Sequence, residues 1–369
     1  MTEVVLLEEH PTACGRRFGV ATLNAPGSLN ALSLAMVQLL TPALRQWATD
    51  PGIAGVVLQA TGEKAFCAGG DLRELYQSMR ECGAGPNPYA HGFFAQEYAL
   101  DHLIHSFPKP VLCWGQGIVM GGGIGLMAGA SHRVVTSTSR LAMPEVAIGL
   151  YPDVGGSWFL RRMPGRVGLF LALTGAPLNA ADAIFCGLAD FYLESDRRET
   201  VLVAIGEARW SDDGGENRAA LSRLLASPAA ADAAPSKLRM HFDTINALVA
   251  GEDLHDIARR LRSLQSDDPW LVSAAAGFAK GSPTSAALAF ALWQRVPRLS
   301  LAEVFRLEYR ASLGCCAHGD FAEGIRALLI DKDRNPRWNP ASLDHVLPEW
   351  IEGHFKPRFA ALHPLAALN

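Results

Sequence analysis

Between Val111 and Ala130 the chain reads VLCWGQGIVMGGGIGLMAGA: twenty residues, seven of them glycine, with only Gln116 conventionally polar. The length suits a bilayer crossing, for which about 20 apolar residues are needed. Glycine at this density makes a poor helix, at roughly 1 kcal/mol per residue relative to alanine. The stretch therefore reads as a buried strand, a turn and a glycine-opened helix in the core of a globular protein.

The rest of the chain supports such a core. Its 369 residues allow two domains, or one large domain with an appendage. Hydrophobic residues make up 49% and charged residues 19%, far from the composition of a disordered chain. A net charge of -4 argues against nucleic acid as a partner, because phosphate binding needs a basic surface. The seven cysteines show no CxxC spacing and no nearby His pair, which argues against a zinc motif or disulfide framework and suits a reducing compartment. MTEVVLLEEHP carries early acids and too short an apolar run for a signal peptide, so a cytoplasmic location is expected.

Residues 16–24, 55–61, 111–114 and 133–137 have strand character. Leu34, Val37, Leu40, Leu44 and Trp47 recur at helical spacing, and helical patterning continues around 72–80 and 95–106. Strands alternating with helices predict an α/β domain over 1–195. Beyond it, 196–369 reads as mainly helical, serving as a lid or oligomer contact. Here 225–237 is a linker, Leu254, Ile257, Leu261 and Leu264 mark an amphipathic helix, and Ser300 with Glu303 forms a capping box.

Two carboxylates, Glu145 and Asp153, stand eight residues apart in PEVAIGLYPDVGG. Burying an unpaired ionised acid is costly. Either both acids are solvated at the ends of a buried turn, or the fold holds them in a cleft for chemistry. Two glycine turns bear on the choice: EKAFCAGGDL places Gly69 and Gly70 between a strand and a helix, and MGGGIGL does the same with Gly121, Gly122 and Gly123. Glycine admits a ligand close to the main chain, and helix starts offer unpaired N–H groups. Side by side, such turns could aim two donors at one oxygen, an oxyanion hole. Gly123, Gly125 and Ala128 also fit G-x-G-x-x-A, with Glu145 22 residues on, as in dinucleotide sites. That fingerprint belongs after the first strand of a βαβ unit, and here the acid follows a proline instead.

LNALSLAMV, KAFCAGGDLRELY, GQGIVMGGGIGL and MPEVAIGLYPDVGGSWFL occur in the order and spacing of the crotonase (enoyl-CoA hydratase/isomerase) superfamily. FFAQEYALD, LALTGAPLNAADAIFCGLAD, EVFRLEYR and GDFAEGIRALLIDKDRNPRWNP extend the likeness toward the C-terminus, where the chain most resembles 3-hydroxyisobutyryl-CoA hydrolases. The resemblance implies an α/β spiral of ββα units with a helical C-terminal region. It implies an acyl-CoA substrate whose thioester oxygen is held by the amides of Gly70 and Gly122. Asn30, Ala31, Leu32, Lys64, Ala68 and Gly70 would lie along the CoA moiety.

Hydratases of the superfamily use two glutamates, at positions matching 125 and 145; this chain has Gly125 and Glu145. A glycine cannot shuttle a proton, so the hydratase pair is broken. Asp153 stands where hydratases commonly carry glycine, and Glu97 matches an acid that hydrolases of this kind use at the substrate. The resemblance therefore implies thioester hydrolysis with Glu145 as nucleophile or base and Asp153 and Glu97 orienting the acyl hydroxyl or a water. The alternatives are hydration or isomerisation of an enoyl-CoA, and acyl-CoA binding without turnover. Cys67, in the oxyanion turn, has no His or Lys at a telling spacing and reads as a buried core thiol. No metal or cofactor is expected beyond CoA within the substrate, and no membrane partner; a trimer or hexamer is the assembly the likeness suggests, and valine breakdown the pathway.

Overall fold

In the strands, β-branched and aromatic residues collect in short runs ended by glycine, proline or polar turns, and these runs pair into two sheets. The computed structural model describes residues 3–226, 234–360 and 362–369; of the expected linker at 225–237, residues 227–233 lie outside them. The first sheet has six strands in the order β1 (Val5–Pro11), β2 (Arg17–Leu23), β3 (Ile53–Ala60), β5 (Val111–Gly115), β7 (His132–Val135) and β9 (Phe191–Tyr192). The second has three: β4 (Ala65–Cys67), β6 (Ile118–Met120) and β8 (Arg140–Ala142). A hairpin joins β1 to β2, and the pairs from β2 onward in the large sheet are parallel, with Val20 opposite Val57 and Val57 opposite Leu112.

The order along the chain explains the two sheets. Each pass gives one strand to the large sheet and the next to the small one, as in β3–β4, β5–β6 and β7–β8, with a helix or short helical turn after each pair. This is the expected ββα repeat. The glycine-rich stretch supplies one full pass: β5, β6 and the helix Gly122–Ala128, whose seven residues are all buried. Among the described residues no helix is long and apolar enough to cross a membrane.

By packing, the chain forms two units, each drawn from three separated stretches of sequence, with residues 196–236 in the first. One comprises Met1–Gly70, Leu100–Leu141 and Leu178–Ser236; the other comprises Asp71–Ala99, Ala142–Pro177 and Lys237–Asn369. The strands of the large sheet carry apolar residues that must be covered. Val201 and Ile205 of the helix Arg197–Glu207, and Leu221 and Leu225 of the helix Gly214–Leu225, pack with Phe18, Val20, Val57, Leu112, Trp114 and Val134 in one buried cluster. Each such side chain contributes about 1.5–3 kcal/mol when fully buried. These helices therefore belong with the strands, although they follow residue 195. Val37, Leu40, Leu44 and Trp47 form the buried stripe of the helix Leu34–Thr49, as their spacing predicts, with Met36 joining it and Leu34 only half-buried at the helix start.

In the second unit the helix Leu301–His318 begins at the expected capping box, with Ser300 and Glu303 bonding each other's backbone N–H groups. Asp253 caps the amphipathic helix Leu254–Arg262. A short helix, Asp320–Ile325, packs on the turn Glu145–Ile148, where Gly324 leaves no room for a Cβ: it would lie 2.3 Å from the Ile148 carbonyl oxygen. The PEVAIG turn is thus held from the C-terminal side of the sequence.

Candidate active site

In the first unit β4 and β6 run parallel, with Ala65 opposite Ile118 and Cys67 opposite Val119. The two glycine turns leave the same ends of these neighbouring strands and so lie side by side. Gly121, at φ 49 and ψ -122, adopts a conformation that disfavours any side chain and starts the helix Gly122–Ala128. A Cβ on Gly123 would sit 2.3 Å from the Cys67 carbonyl oxygen, so glycine there sets how closely the turns approach. The Gly122 N–H opens its helix and has no acceptor within it. Neither it nor the Gly70 N–H donates a hydrogen bond among the described residues.

The loop at Asn30 is clipped to the first turn. Ala68 N–H donates to Leu29 O at 3.1 Å, and Leu32 N–H to Gly69 O at 2.8 Å. Asn30 takes a left-handed backbone at φ 53, and its buried amide is fully used. It accepts from Ala25 N and donates to the carbonyls of Thr61 and Ala65 at 3.1 and 3.0 Å. Asn30 therefore shapes the loop and has no donor left for a ligand. Beside it lies a cleft of about 470 Å3 lined by Pro26, Leu29, Asn30, Gly62, Lys64 and Ala65 among others, with Lys64 exposed at its rim. Ala31 is half-buried next to it, and Leu32 is buried opposite Gly70. Cys67 is buried, as expected of a core thiol.

The acids gather in the second unit. Glu97, Glu145 and Asp153 are only 2%, 4% and 5% exposed, which rejects the reading of solvated acids flanking a turn. Burial and the nearby Asp153 charge push Glu97 and Glu145 well above the usual carboxylate range. Burial also raises Asp153, to about 6, while a hydrogen bond from Tyr98 pulls the other way. Glu145 opens a short 3-10 turn, and its buried Oε2 has no hydrogen-bond partner among the described residues. An unpartnered buried carboxylate oxygen is costly and rare outside functional sites.

Four residues that the motif reading did not single out organise these acids. Tyr98 O–H donates to Asp153 Oδ2 at 2.6 Å and lies 2.7 Å from Ser312 Oγ. Ser312 Oγ is also 2.9 Å from the Tyr151 hydroxyl, which donates to the Glu308 carbonyl oxygen at 2.6 Å. The wholly buried Glu308 carboxylate accepts the N–H groups of Gly155 and Ser157 at 2.8 and 2.9 Å, although burial pushes its acid up to about 8. These bonds fix the turn after Asp153, where Val154 is held at φ 52. A left-handed backbone at a β-branched residue costs about 1–3 kcal/mol and persists only where surroundings enforce it. One signal was available in the sequence: Glu308 and Ser312 fall on the buried stripe defined by Val304, Phe305 and Ala311. Polar residues on an apolar face need partners. Gly125 is buried within the helix Gly122–Ala128 and presents no acid. Among the described residues no group of three or more His, Cys, Asp or Glu is arranged to hold a metal ion.

This arrangement has known relatives. The enoyl-CoA hydratase/isomerase family matches residues 18–355. The chain belongs to this family. Within it, the chain is 38% identical over 343 residues to the mitochondrial 3-hydroxyisobutyryl-CoA hydrolase of Gallus gallus, covering 92% of this chain and 86% of the other. It is 37% identical over 358 residues to the Homo sapiens protein of the same name, covering 96% and 89%. Two crystal structures share the fold. An enoyl-CoA hydratase from Rhodobacter sphaeroides 2.4.1 is 39% identical with a TM-score of 0.83, covering 96% of this chain and 97% of its own. A carnitinyl-CoA dehydratase from Mycobacterium thermoresistibile is 36% identical with a TM-score of 0.84 and the same coverage.

Proposed function

We propose that this chain is a thioester hydrolase releasing 3-hydroxyisobutyrate and CoA from 3-hydroxyisobutyryl-CoA. The observation that carries the reading is the buried cluster of Glu97, Glu145 and Asp153 together with the absence of any side chain at position 125. A hydratase working with two glutamates has one acid too few here, and Glu97 and Asp153 have no place in that scheme. The vertebrate relatives of the same name support the substrate.

In this mechanism the Gly70 and Gly122 amides stabilise the oxyanion that develops when the thioester carbonyl is attacked; each donor of this kind is worth about 3 kcal/mol. Glu145 takes one of two roles. As nucleophile its carboxylate oxygen bonds the acyl carbon, the C–S bond breaks, and the CoA thiolate leaves and takes a proton; water then cleaves the anhydride. As base it removes a proton from water while the water oxygen attacks the same carbon; the C–S bond then breaks, and the leaving CoA thiolate takes that proton from Glu145. Burial and the Asp153 charge make Glu145 a weaker acid, which strengthens its carboxylate as a base. Asp153 and Glu97 bind the acyl hydroxyl, so that an acyl group lacking it leaves them unpaired. The CoA moiety lies along Asn30, Ala31, Leu32, Lys64, Ala68 and Gly70, with Asn30 contributing through loop shape.

The Rhodobacter structure's name favours a second reading, hydration of an enoyl-CoA. Free thiol release and loss of enoyl absorbance, measured on hydroxyacyl-CoA and enoyl-CoA esters, separate the two. Faster hydration of crotonyl-CoA than CoA release from 3-hydroxyisobutyryl-CoA would overturn the hydrolase reading. We further propose a step in valine breakdown and a homo-oligomer of trimeric symmetry. The seven cysteines, with no CxxC spacing, suit a reducing compartment, for which we propose the cytoplasm; the named vertebrate relatives are mitochondrial, so cell fractionation decides.

A further inference from the structure

The hydroxyl chain behind Asp153 gives Tyr98 a task that the family motifs do not assign. Tyr98 has one O–H hydrogen, and the 2.6 Å contact to Asp153 Oδ2 uses it, since a carboxylate can only accept. The Tyr98 oxygen can then accept from Ser312, 2.7 Å away. Tyr151 spends its own hydrogen on the Glu308 carbonyl, so the single Ser312 hydrogen is what remains for the two phenol oxygens, 2.7 Å from Tyr98 and 2.9 Å from Tyr151. The Tyr98 ring cannot swing away: it is fully buried against Phe94 and Phe305, with centroids 5.6 and 5.8 Å apart.

This leaves Asp153 asymmetric. Its Oδ2 is taken by Tyr98, and among the described residues Oδ1 meets no donor from another side chain. Glu97 and Tyr98 bear on it from the helix Pro88–His105, and Glu145 and Tyr151 from its own segment. Glu308, Cys315 and Cys316 bear on it from the helix Leu301–His318. All are acids, phenols or thiols. With no cation among them, the charged form of Asp153 is favoured first by the Tyr98 hydrogen bond and second by its own backbone N–H.

We propose that Tyr98, backed by Ser312, is a positioning residue that keeps Asp153 ionised with Oδ1 free, and thereby sets the preference for acyl groups bearing a hydroxyl. The proposal rests on the thioesterase reading and deepens it. In that role Oδ1 accepts the acyl hydroxyl's hydrogen, and Tyr98 itself never touches substrate. A protonated Asp153 would instead compete with the hydroxyl as a donor.

Tyr98→Phe keeps the ring and removes only the O–H. CoA release is followed from 3-hydroxyisobutyryl-CoA and from isobutyryl-CoA between pH 5 and 9. The variant is expected to lose about 10- to 100-fold in kcat/KM on the hydroxylated ester and less than about 3-fold on the plain one. The acid limb of its pH profile should move to higher pH by about one unit, because the charged form has lost its donor. Ser312→Ala should shift both readouts the same way by less, and it guards against misfolding of the first variant. Equal losses on both esters with an unmoved acid limb would reduce Tyr98 to packing and overturn the proposal. Failure of the hydrolase reading shows separately, as wild type releasing no thiol from either ester. Calorimetric binding of the same two esters then decides: a hydroxyl preference lost in Tyr98→Phe supports the proposal, and one retained overturns it.

Discussion

Glu308 accepts the N–H of Gly155 at 2.8 Å across 153 residues of sequence. Its second oxygen takes the Ser157 N–H, so one side chain holds the backbone on both sides of Gly156. Glu308→Ala would leave two buried donors without acceptors and open a cavity. Urea unfolding is expected to show a loss on the order of 3 kcal/mol, with Glu308→Gln, which keeps one acceptor, losing less. Unchanged stability in the alanine variant would mean that the turn stands without Glu308.

Asp153 should make stability depend on pH in a definite direction. Its acid is held at about 6 in the fold, against about 3.9 in an unfolded chain. Between those values the folded state binds more protons, so this group's contribution is greatest below about pH 4 and is lost as pH rises through about 6. Asp153→Asn stays neutral throughout and can still accept from Tyr98. It should therefore be more stable than wild type at pH 8, by on the order of 2 kcal/mol, with the gain vanishing near pH 4. Denaturant midpoints at the two pH values check this, and a gain at pH 4 but not at pH 8 would contradict it.

Glu145→Ala is expected to lower CoA release from 3-hydroxyisobutyryl-CoA by at least roughly 100- to 10,000-fold, the span typical of general base catalysis. Affinity for the CoA ester should stay within about threefold, because the lost group acts on the reacting carbon. Retained turnover would take Glu145 out of the mechanism. Gly125→Glu alone should not produce an efficient hydratase, since Glu97 and Asp153 still occupy the acid cluster; rapid hydration of crotonyl-CoA by that variant would show otherwise.

Gly123→Ala tests the spacing of the two turns. The new methyl meets the Cys67 main-chain oxygen, which belongs to a paired strand and cannot turn aside as a side chain could. Overpacking of this kind costs about 1–3 kcal/mol. A lowered melting temperature together with slower thiol release is the expected pair of effects. Full activity in a stable variant would show that the approach of the turns is not critical.

Much of this was legible in the sequence where the deciding forces are local. Short apolar runs ended by turns mark β3, β5 and β7, and the Ser300–Glu303 box marks a helix start, because each signal lies within a few residues. Glu145, Asp153 and Glu97 could be named from motifs. What holds them could not. Tyr98 and Tyr151 sit among apolar residues and read as core, which they also are; their hydroxyl bonds depend on Ser312 and Glu308, more than 150 residues away. The assembly of the first unit from three separated stretches was hidden for a related reason. A sheet needs cover, yet nothing in its own strands says which later helices, here Arg197–Glu207 and Gly214–Leu225, will supply it.

The left-handed Val154 carries a consequence for anyone wishing to move this chemistry elsewhere. A synthetic octapeptide spanning Leu150–Ser157 has turn formers in Pro152, Asp153, Gly155 and Gly156, but nothing within it holds the β-branched Val154 in the left-handed region. Copying YPDVGG into a foreign loop would thus transfer the letters without the aim of the aspartate. The portable unit is the segment plus its distant glutamate brace, and a graft succeeds only when both travel together.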